Sequence, residues 1–244
     1  KIIFLFAIAI GIVGCKKAEK KEELKNPEIK LYALEGGSIM VNKLEVFSQD
    51  TTYTGQTKQF ANAYYVISHP KGNLIWDGGL PENLVTQGPF TTGNGVFTLN
   101  RKDSLNNQLA SIDFKVEDFN YIALSHHHFD HTGHANYFEK ATWLVQENEY
   151  NFLAGDSTKV NPAIKSLTKV KTLNGDHDVF GDGTVVIKSF PGHTIGHQVL
   201  YLDLGLEQPV LLAGDLYHFE ENRATRGVPS FNYNVEQTLE SMDK

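Results

Sequence analysis

The 244-residue chain has one cysteine, two methionines and two tryptophans. A single thiol cannot build a disulfide framework or a Cys-rich zinc knuckle. The prolines are few and scattered, with no Pro-rich linker, and no fixed-period repeat is present. One domain with a full core is therefore expected, not an array or a string of modules. Positive charge is also scarce: 22 Lys and Arg face 29 Asp and Glu, for a net charge of −7. Without a basic stretch to neutralise phosphates, nucleic acid is excluded as a partner. Long apolar runs are missing too. The run Ile2 to Gly14 has 13 residues, and a bilayer span needs roughly 20. Histidine, in contrast, is plentiful: four of the ten stand between His126 and His131.

Lys1, the apolar run and Cys15 have the layout of a secretory signal segment. The sequence Ile12-Val13-Gly14-Cys15 resembles a bacterial lipobox. That resemblance implies cleavage after residue 14, lipidation of Cys15 and a membrane partner for the lipid. Residues 15–28 follow, dense in mixed charge across Lys16 to Lys25, and read as a solvated tether. The expected location is a lipid-anchored protein of the periplasm, outer membrane or cell surface. The chain starts on Lys1 and stops at Lys244 within a predicted helix, so a continuation beyond Lys244 is expected.

From residue 29 onward, short strands give way to strands alternating with helices. This order argues for α/β or α+β layering in one domain, residues 29–244. Strands are predicted at Lys30–Ala33, Ser38–Leu44, Asn62–Ser68 and Leu74–Asp77, the last two joined by a hairpin at His69–Asn73. Residues 86–100, rich in Gly and Thr, read as a long loop, and Ser104–Ile112 as a helix. Tyr121–Ser125 is a short buried strand that runs into the histidines. A helix is predicted at Thr132–Phe138, a strand at Ala141–Gln146 and a helix at Glu147–Leu153. Strands at Thr184–Phe190, Gln198–Leu204 and Pro209–Ala213 and a helix at Val235–Met242 complete the pattern.

The segment Ser125-His126-His127-His128-Phe129-Asp130-His131 supplies several potential metal ligands at a strand exit. Alternation in an extended segment points His126 and His128 the same way. Asp130 and His131, where the chain turns toward a helix, reach an adjacent position. Imidazole with carboxylate suits zinc, manganese or iron better than calcium or copper(I). Apolar Tyr121–Leu124 before the cluster and Phe129 within it distinguish it from a solvated His tract. Two further strand ends carry Pro191-Gly192-His193 and Ala213-Gly214-Asp215.

The combination HxHxDH, PGHTIGH and LLAGD resembles the metallo-β-lactamase superfamily. The resemblance implies an αββα four-layer sandwich with two zinc ions per chain. By position, His126, His128 and His193 would hold the first ion. Asp130 and His131 would hold the second, with Asp215 bridging both. The family carries one more His for the second ion, which is expected beyond Lys244. His127 is expected to point away from the metal, His134 to be structural, and His197 to buttress the site. His69 and His177 are expected to be solvated. Asp77 resembles the family's acidic residue that orients a ligand imidazole.

The N-terminal half, with Leu31–Ser38, Asn62–Ile67 and Leu74–Gly79, is similar to the N-acyl homoserine lactonases. That similarity implies a lactone substrate opened by a hydroxide shared between the zinc ions, with Asp130 passing a proton to the leaving group. It implies that the insertion spanning residues 41–61 lies near an acyl chain, with Phe47, Tyr53 and Phe60 as apolar candidates. These lactonases carry Tyr three residues after the bridging Asp. Here Tyr217 is two residues on and His218 three, so both are candidates for contacting the substrate carbonyl. A glyoxalase-type thioesterase and a Cys-free di-zinc β-lactamase are the alternative enzymes. A non-catalytic metal- or ligand-binding lipoprotein is the alternative from outside enzymes. Cys-ligand β-lactamases are excluded by the cysteine count, and flavodiiron reductases by His128 and the missing flavin domain.

Overall fold

The computed structural model describes residues 28–155 and 162–244. The apolar run, Cys15 and nearly all of the charged tether lie outside the described residues.

The described chain builds two sheets. Strands β1 (Lys30–Val41), β2 (Lys58–His69) and β3 (Gly72–Trp76) form an antiparallel meander. Strands β4 (Phe90–Thr92) and β5 (Phe97–Asn100) form a hairpin that pairs onto β1. Strands β6 (Tyr121–Ala123), β7 (Thr142–Gln146) and β8 (Val170–Leu173) add in parallel beyond β3. The order of this sheet is β4-β5-β1-β2-β3-β6-β7-β8. The second sheet is antiparallel, with β9 (His177–Asp178), β10 (Val185–Ser189), β11 (Gln198–Leu202) and β12 (Val210–Leu212) in sequential order. Helices α1 (Leu84–Gln87), α2 (Leu105–Ser111), α3 (Phe129–Thr132), α4 (Glu147–Ala154), α5 (Glu220–Thr225) and α6 (Val235–Met242) connect or flank them.

Alternation along the strands sends apolar side chains both ways. Leu74, Trp76, Ala123 and Leu144 meet Val185, Ile187, Leu200 and Leu202 between the sheets. Ile75, Ile122, Trp143 and Val145 face the other way, onto Leu105 and Leu109 of α2, Leu153 of α4 and Phe138. A fully buried aliphatic side chain contributes about 1.5–3 kcal/mol, so these two layers dominate the stability. A polar rivet crosses between the sheets. Gln198 donates its side-chain amide to the carbonyls of Leu124 and Leu144 and its backbone N–H to Ser125, while its amide oxygen accepts from Gln146.

This topology collects strand ends. Parallel β3 and β6 deliver Asp77 and the His126 segment to one edge. In the second sheet β10 and β12 both run antiparallel to β11, so they deliver His193 and Asp215 to a common edge.

Most strands fall within a few residues of expectation, with three corrections. Residues 86–100 are not a loop: α1 and the β4–β5 hairpin occupy this stretch, because Phe97 and Leu99 alternate inward while the Gly-rich turn closes the hairpin. The segment Ser38–Leu44 is not a separate strand, since β1 runs unbroken from Lys30 to Val41 through a bulge at Glu35–Gly37. The helix expected at Thr132–Phe138 stops instead at Thr132 and gives way to a 3₁₀ turn at Ala135–Phe138.

The early stop has a physical cause. The N–H groups of Gly133 and His134 donate to the carbonyls of Gly79 and Gly78, and Gly78 N–H donates back to His131. The Asp77-Gly78-Gly79 turn and α3 are thus stitched backbone to backbone. A Cβ on Gly133 would lie 2.2 Å from both the carbonyl carbon and the carbonyl oxygen of Leu80, closer than any side chain tolerates. Gly133→Ala is expected to destabilise the fold by about 1–3 kcal/mol, as overpacking does. Urea denaturation checks this; an unchanged midpoint would contradict the stitched turn.

Candidate metal centre

The His segment leaves β6 in extended form, and His128 is still extended (φ −65°, ψ 155°) where α3 begins. His126 and His128 consequently turn the same way, and Asp130 and His131 follow on the first turn of α3. Their nitrogens and oxygens meet those of His193 and Asp215. His126, His128, His193 and Asp215 present ligand atoms all within 4.8 Å of one another, and so do Asp130, His131 and Asp215. Asp215 joins the two groups. Its Oδ2 lies 3.3 Å from His193 Nε2 and 3.7 Å from His126 Nε2, while Oδ1 lies 3.1 Å from His131 Nε2. Asp130 Oδ2 is 3.7 Å from His131 Nε2.

Three of the four ligand imidazoles, those of His126, His131 and His193, are aimed by a partner on the far side of the ring. His193 Nδ1 faces Asn232 Oδ1 at 3.2 Å, and His126 Nδ1 faces Ser125 Oγ at 3.1 Å. His131 Nδ1 donates to Asp77 Oδ2 at 3.0 Å. Asp77 is held in turn: its Oδ1 accepts Ser125 N–H at 2.6 Å, and its own N–H donates to Ala123. Its φ of +64° is a left-handed conformation that Asp tolerates better than most residues. His197 positions Asp215 directly, because its Nδ1–H donates to Phe190 O and its Nε2 accepts Asp215 N–H at 3.1 Å. Asn62 donates to the Asp130 carbonyl at 2.9 Å.

The donor set fits a cation. His126 Nε2 is buried without a hydrogen-bond partner, and His128 Nδ1 lies 3.1 Å from His193 Nε2. Two inward imidazole lone pairs at that distance need a shared proton or a positive ion. Burial holds the imidazoles of His126, His193 and His197 below their ordinary pKa, His128 down at about 4, and so keeps them neutral. Neutral imidazole is the metal-binding form. Burial would push Asp215 up, but His131 and His218 hold it well below the usual carboxylate range. Burial raises Asp130. Burial would lower His131, but the carboxylates of Asp215, Asp77 and Asp130 hold it well above its usual value.

The other sequence candidates separate clearly. The Tyr217 hydroxyl donates to Met242 O on α6 at 3.5 Å. His218 instead faces the cluster, its Nε2 3.3 Å from Asp215 Oδ2 and neither nitrogen hydrogen-bonded. His127 points away from the cluster and bonds Glu149. His134 is buried against Arg101 and Tyr64. His69 was expected to be solvated, but its side chain is buried and stacked on Phe180 beside Asp182, because the β2–β3 hairpin folds against the loop after β9. His177 is half-buried on β9 and not fully solvated. Asn62, Asn232 and Glu149 were missed because their partners lie far off in sequence, and Ser125, beside its partner His126, because no local pattern marks it.

A cavity of about 390 Å³ opens onto the cluster, with Phe47, Phe60, Phe97 and Phe231 beside His128, Asp130 and Asp215. Tyr53, the third apolar candidate of the insertion, is not part of this wall and is buried against Phe219.

Seven imidazoles depressed by burial, those of His69, His126, His128, His134, His177, His193 and His197, oppose one raised imidazole, His131. A depressed imidazole takes up its proton on unfolding, so its contribution is present above pH ~6.5 and is lost as pH falls toward the folded value. His131 contributes with the opposite sign. Chelator-stripped protein should therefore have a lower urea midpoint at pH 5 than at pH 8. A rise toward pH 5 would contradict these environments.

Residues 57–244 match the model of the metallo-beta-lactamase superfamily. The N-acyl homoserine lactonase AttM of Rhizobium radiobacter is 28% identical over 232 residues, covering 89% of this chain and 87% of that protein. An N-acyl homoserine lactonase of a Bacillus species is 29% identical over 220 residues, covering 88% and 86%. Among solved structures, an N-acyl homoserine lactone hydrolase with N-hexanoyl-L-homoserine at its catalytic metal centre superposes with a TM-score of 0.73 at 26% identity, covering 89% of this chain and 87% of that one. With two packed sheets and the donor cluster at their shared edge, the chain belongs to the metallo-beta-lactamase superfamily and is a metal-dependent hydrolase.

Proposed function

We propose that this protein opens a lactone ring, of the N-acyl homoserine lactone kind, at a pair of zinc ions. The observation that carries the reading is the aromatic cavity opening directly onto the two donor groups joined by Asp215. His126, His128 and His193 would hold one ion, Asp130 and His131 the other, with Asp215 between them. When bound, such a pair supplies a nucleophilic water at neutral pH and polarises an acyl carbonyl.

The protein's own groups then divide the remaining work. Phe47, Phe60 and Phe97 line the cavity and would cover an apolar acyl tail, while Asp130 and Asp215 would meet the polar head. Asp130 carries a carboxyl raised by burial, which suits it to hold a proton and release it to the departing ring oxygen. His218, whose Nε2 lies 3.3 Å from Asp215 Oδ2 and whose Nδ1 has no hydrogen-bond partner, would donate to the carbonyl oxygen of the ester. Tyr217, turned toward Met242, is the weaker candidate for that donation. The relatives with this activity and the product held by one of them support the substrate class. The sequence Ile12-Val13-Gly14-Cys15 supports a lipid anchor through Cys15, facing the periplasm or the cell exterior.

The test is proton release on a pH-stat. Zinc-loaded full-length protein is expected to release acid rapidly from a medium-chain homoserine lactone. His128→Ala should fall to background, and His218→Phe should lose about a hundredfold in kcat, as loss of an oxyanion donor does. Turnover of a thioester or a β-lactam, with the lactone untouched, would replace this reading with one of the two alternative hydrolases.

A further inference from the structure

The sequence His126-His127-His128 has a ligand candidate on each side of a residue that points elsewhere, and what that residue grips lies on a third element. Glu149, on the first turn of α4, is buried and accepts four hydrogen bonds. Its Oε1 takes His127 Nδ1 at 2.6 Å, His127 N–H at 3.1 Å and the Thr194 hydroxyl at 3.0 Å. Its Oε2 takes Gly196 N–H at 2.8 Å. Both oxygens are thereby committed to two loops. One carries His126 and His128, the other His193. A Cβ on Gly196 would lie 2.6 Å from Glu149 Cβ, so the second loop is pressed against the α4 turn.

Glu149 and Asp77 hold the donor groups in different ways. Asp77 bonds His131 directly and fixes the backbone of Ser125, whose hydroxyl faces both His131 Nδ1 and His126 Nδ1. Glu149 has no bond to any ligand side chain, yet it fixes the backbones on either side of the three-imidazole group. A carboxylate with four donors is costly to replace: a neutral amide there loses the charge-assisted bonds and sets its NH₂ against at least one N–H.

We infer that Glu149 is a positioning residue that clamps the two histidine loops together and so sets the affinity of the three-imidazole site alone. The inference rests on the metal-centre assignment. It predicts that loss of Glu149 weakens the three-imidazole site selectively, whereas loss of Asp77, which bonds His131 directly, falls mainly on the other site.

The experiment is a cobalt titration of chelator-stripped full-length protein, followed by d–d absorption and by competition with a chelator. Wild type, Glu149→Gln, Thr194→Val and Asp77→Asn are compared, with an apoprotein melt for each. Glu149→Gln is expected to weaken binding at the three-imidazole site about tenfold to a hundredfold, the usual effect of losing an outer-shell partner, with the other site within twofold. Its cobalt spectrum should change at the same site. Thr194→Val, which removes one of the four bonds, should give a smaller loss at that site, and Asp77→Asn a loss at the other. Should Glu149→Gln fail to fold, Thr194→Val decides: a selective loss supports the clamp and wild-type binding overturns it. Wild-type affinity and spectrum in a folded Glu149→Gln, or equal weakening of both sites, would also overturn it. Wild type that binds no cobalt would instead overturn the metal-centre assignment itself.

Discussion

The structure depends on a carboxylate, Asp215, surrounded by inward-facing imidazoles in a partly dry space. Removing such groups from water is costly, and the cost is recovered only when opposite charge and lone pairs meet in a fixed geometry. Here the two oxygens of Asp215 face two different donor groups, and Asp130 stands beside one of them. The imidazoles of His126, His128 and His193 are kept neutral by burial, two of them aimed by bonds behind their rings, and their inward lone pairs call for a shared proton or a metal ion.

Everything around the cluster serves that convergence. Two sheets pack face to face with ligand-bearing strand ends on one edge. Gln198 ties the sheets where the His segment leaves β6, and His197 sets the Asp215 backbone. The loop bearing His193 is bound by segment 232–234, with Asn232 on its ring and Tyr233 and Asn234 on its backbone. The turn at Asp77 to Gly79 is shaped by backbone contacts with α3 and not by its own propensity. The aromatic wall is assembled from β2, β5 and segments far apart in sequence, and it gives the centre a side that repels water.

The ligand residues were legible because they are local: a strand, then alternating histidines, then a turn. The pairing of His193 with Asp215 was legible as two strand ends marked by Gly. Much of the fold followed from apolar patterning, since Leu74–Trp76 fill both sides of their strand while Val185 and Ile187 alternate onto the inter-sheet core. What sequence did not disclose is tertiary. The short α3 results from Gly78 and Gly79 competing for N–H groups that a helix would otherwise use internally. The burial of His69 depends on Phe180, over a hundred residues away. Glu149, four of whose bonds cross to other elements, resembles any surface glutamate in a helical heptad. Tyr217 and His218 are adjacent in sequence, and only backbone direction after Asp215 separates them.

The central claim is that this donor set holds two metal ions. Metal content of full-length protein, dialysed after saturation with zinc and measured by atomic emission, tests it most directly. Two zinc ions per chain are predicted. A single ion is predicted for His126→Ala/His193→Ala, because the Asp130, His131 and Asp215 group is left intact. Wild-type protein that retains no zinc, or a double variant that still retains two ions, would contradict the account.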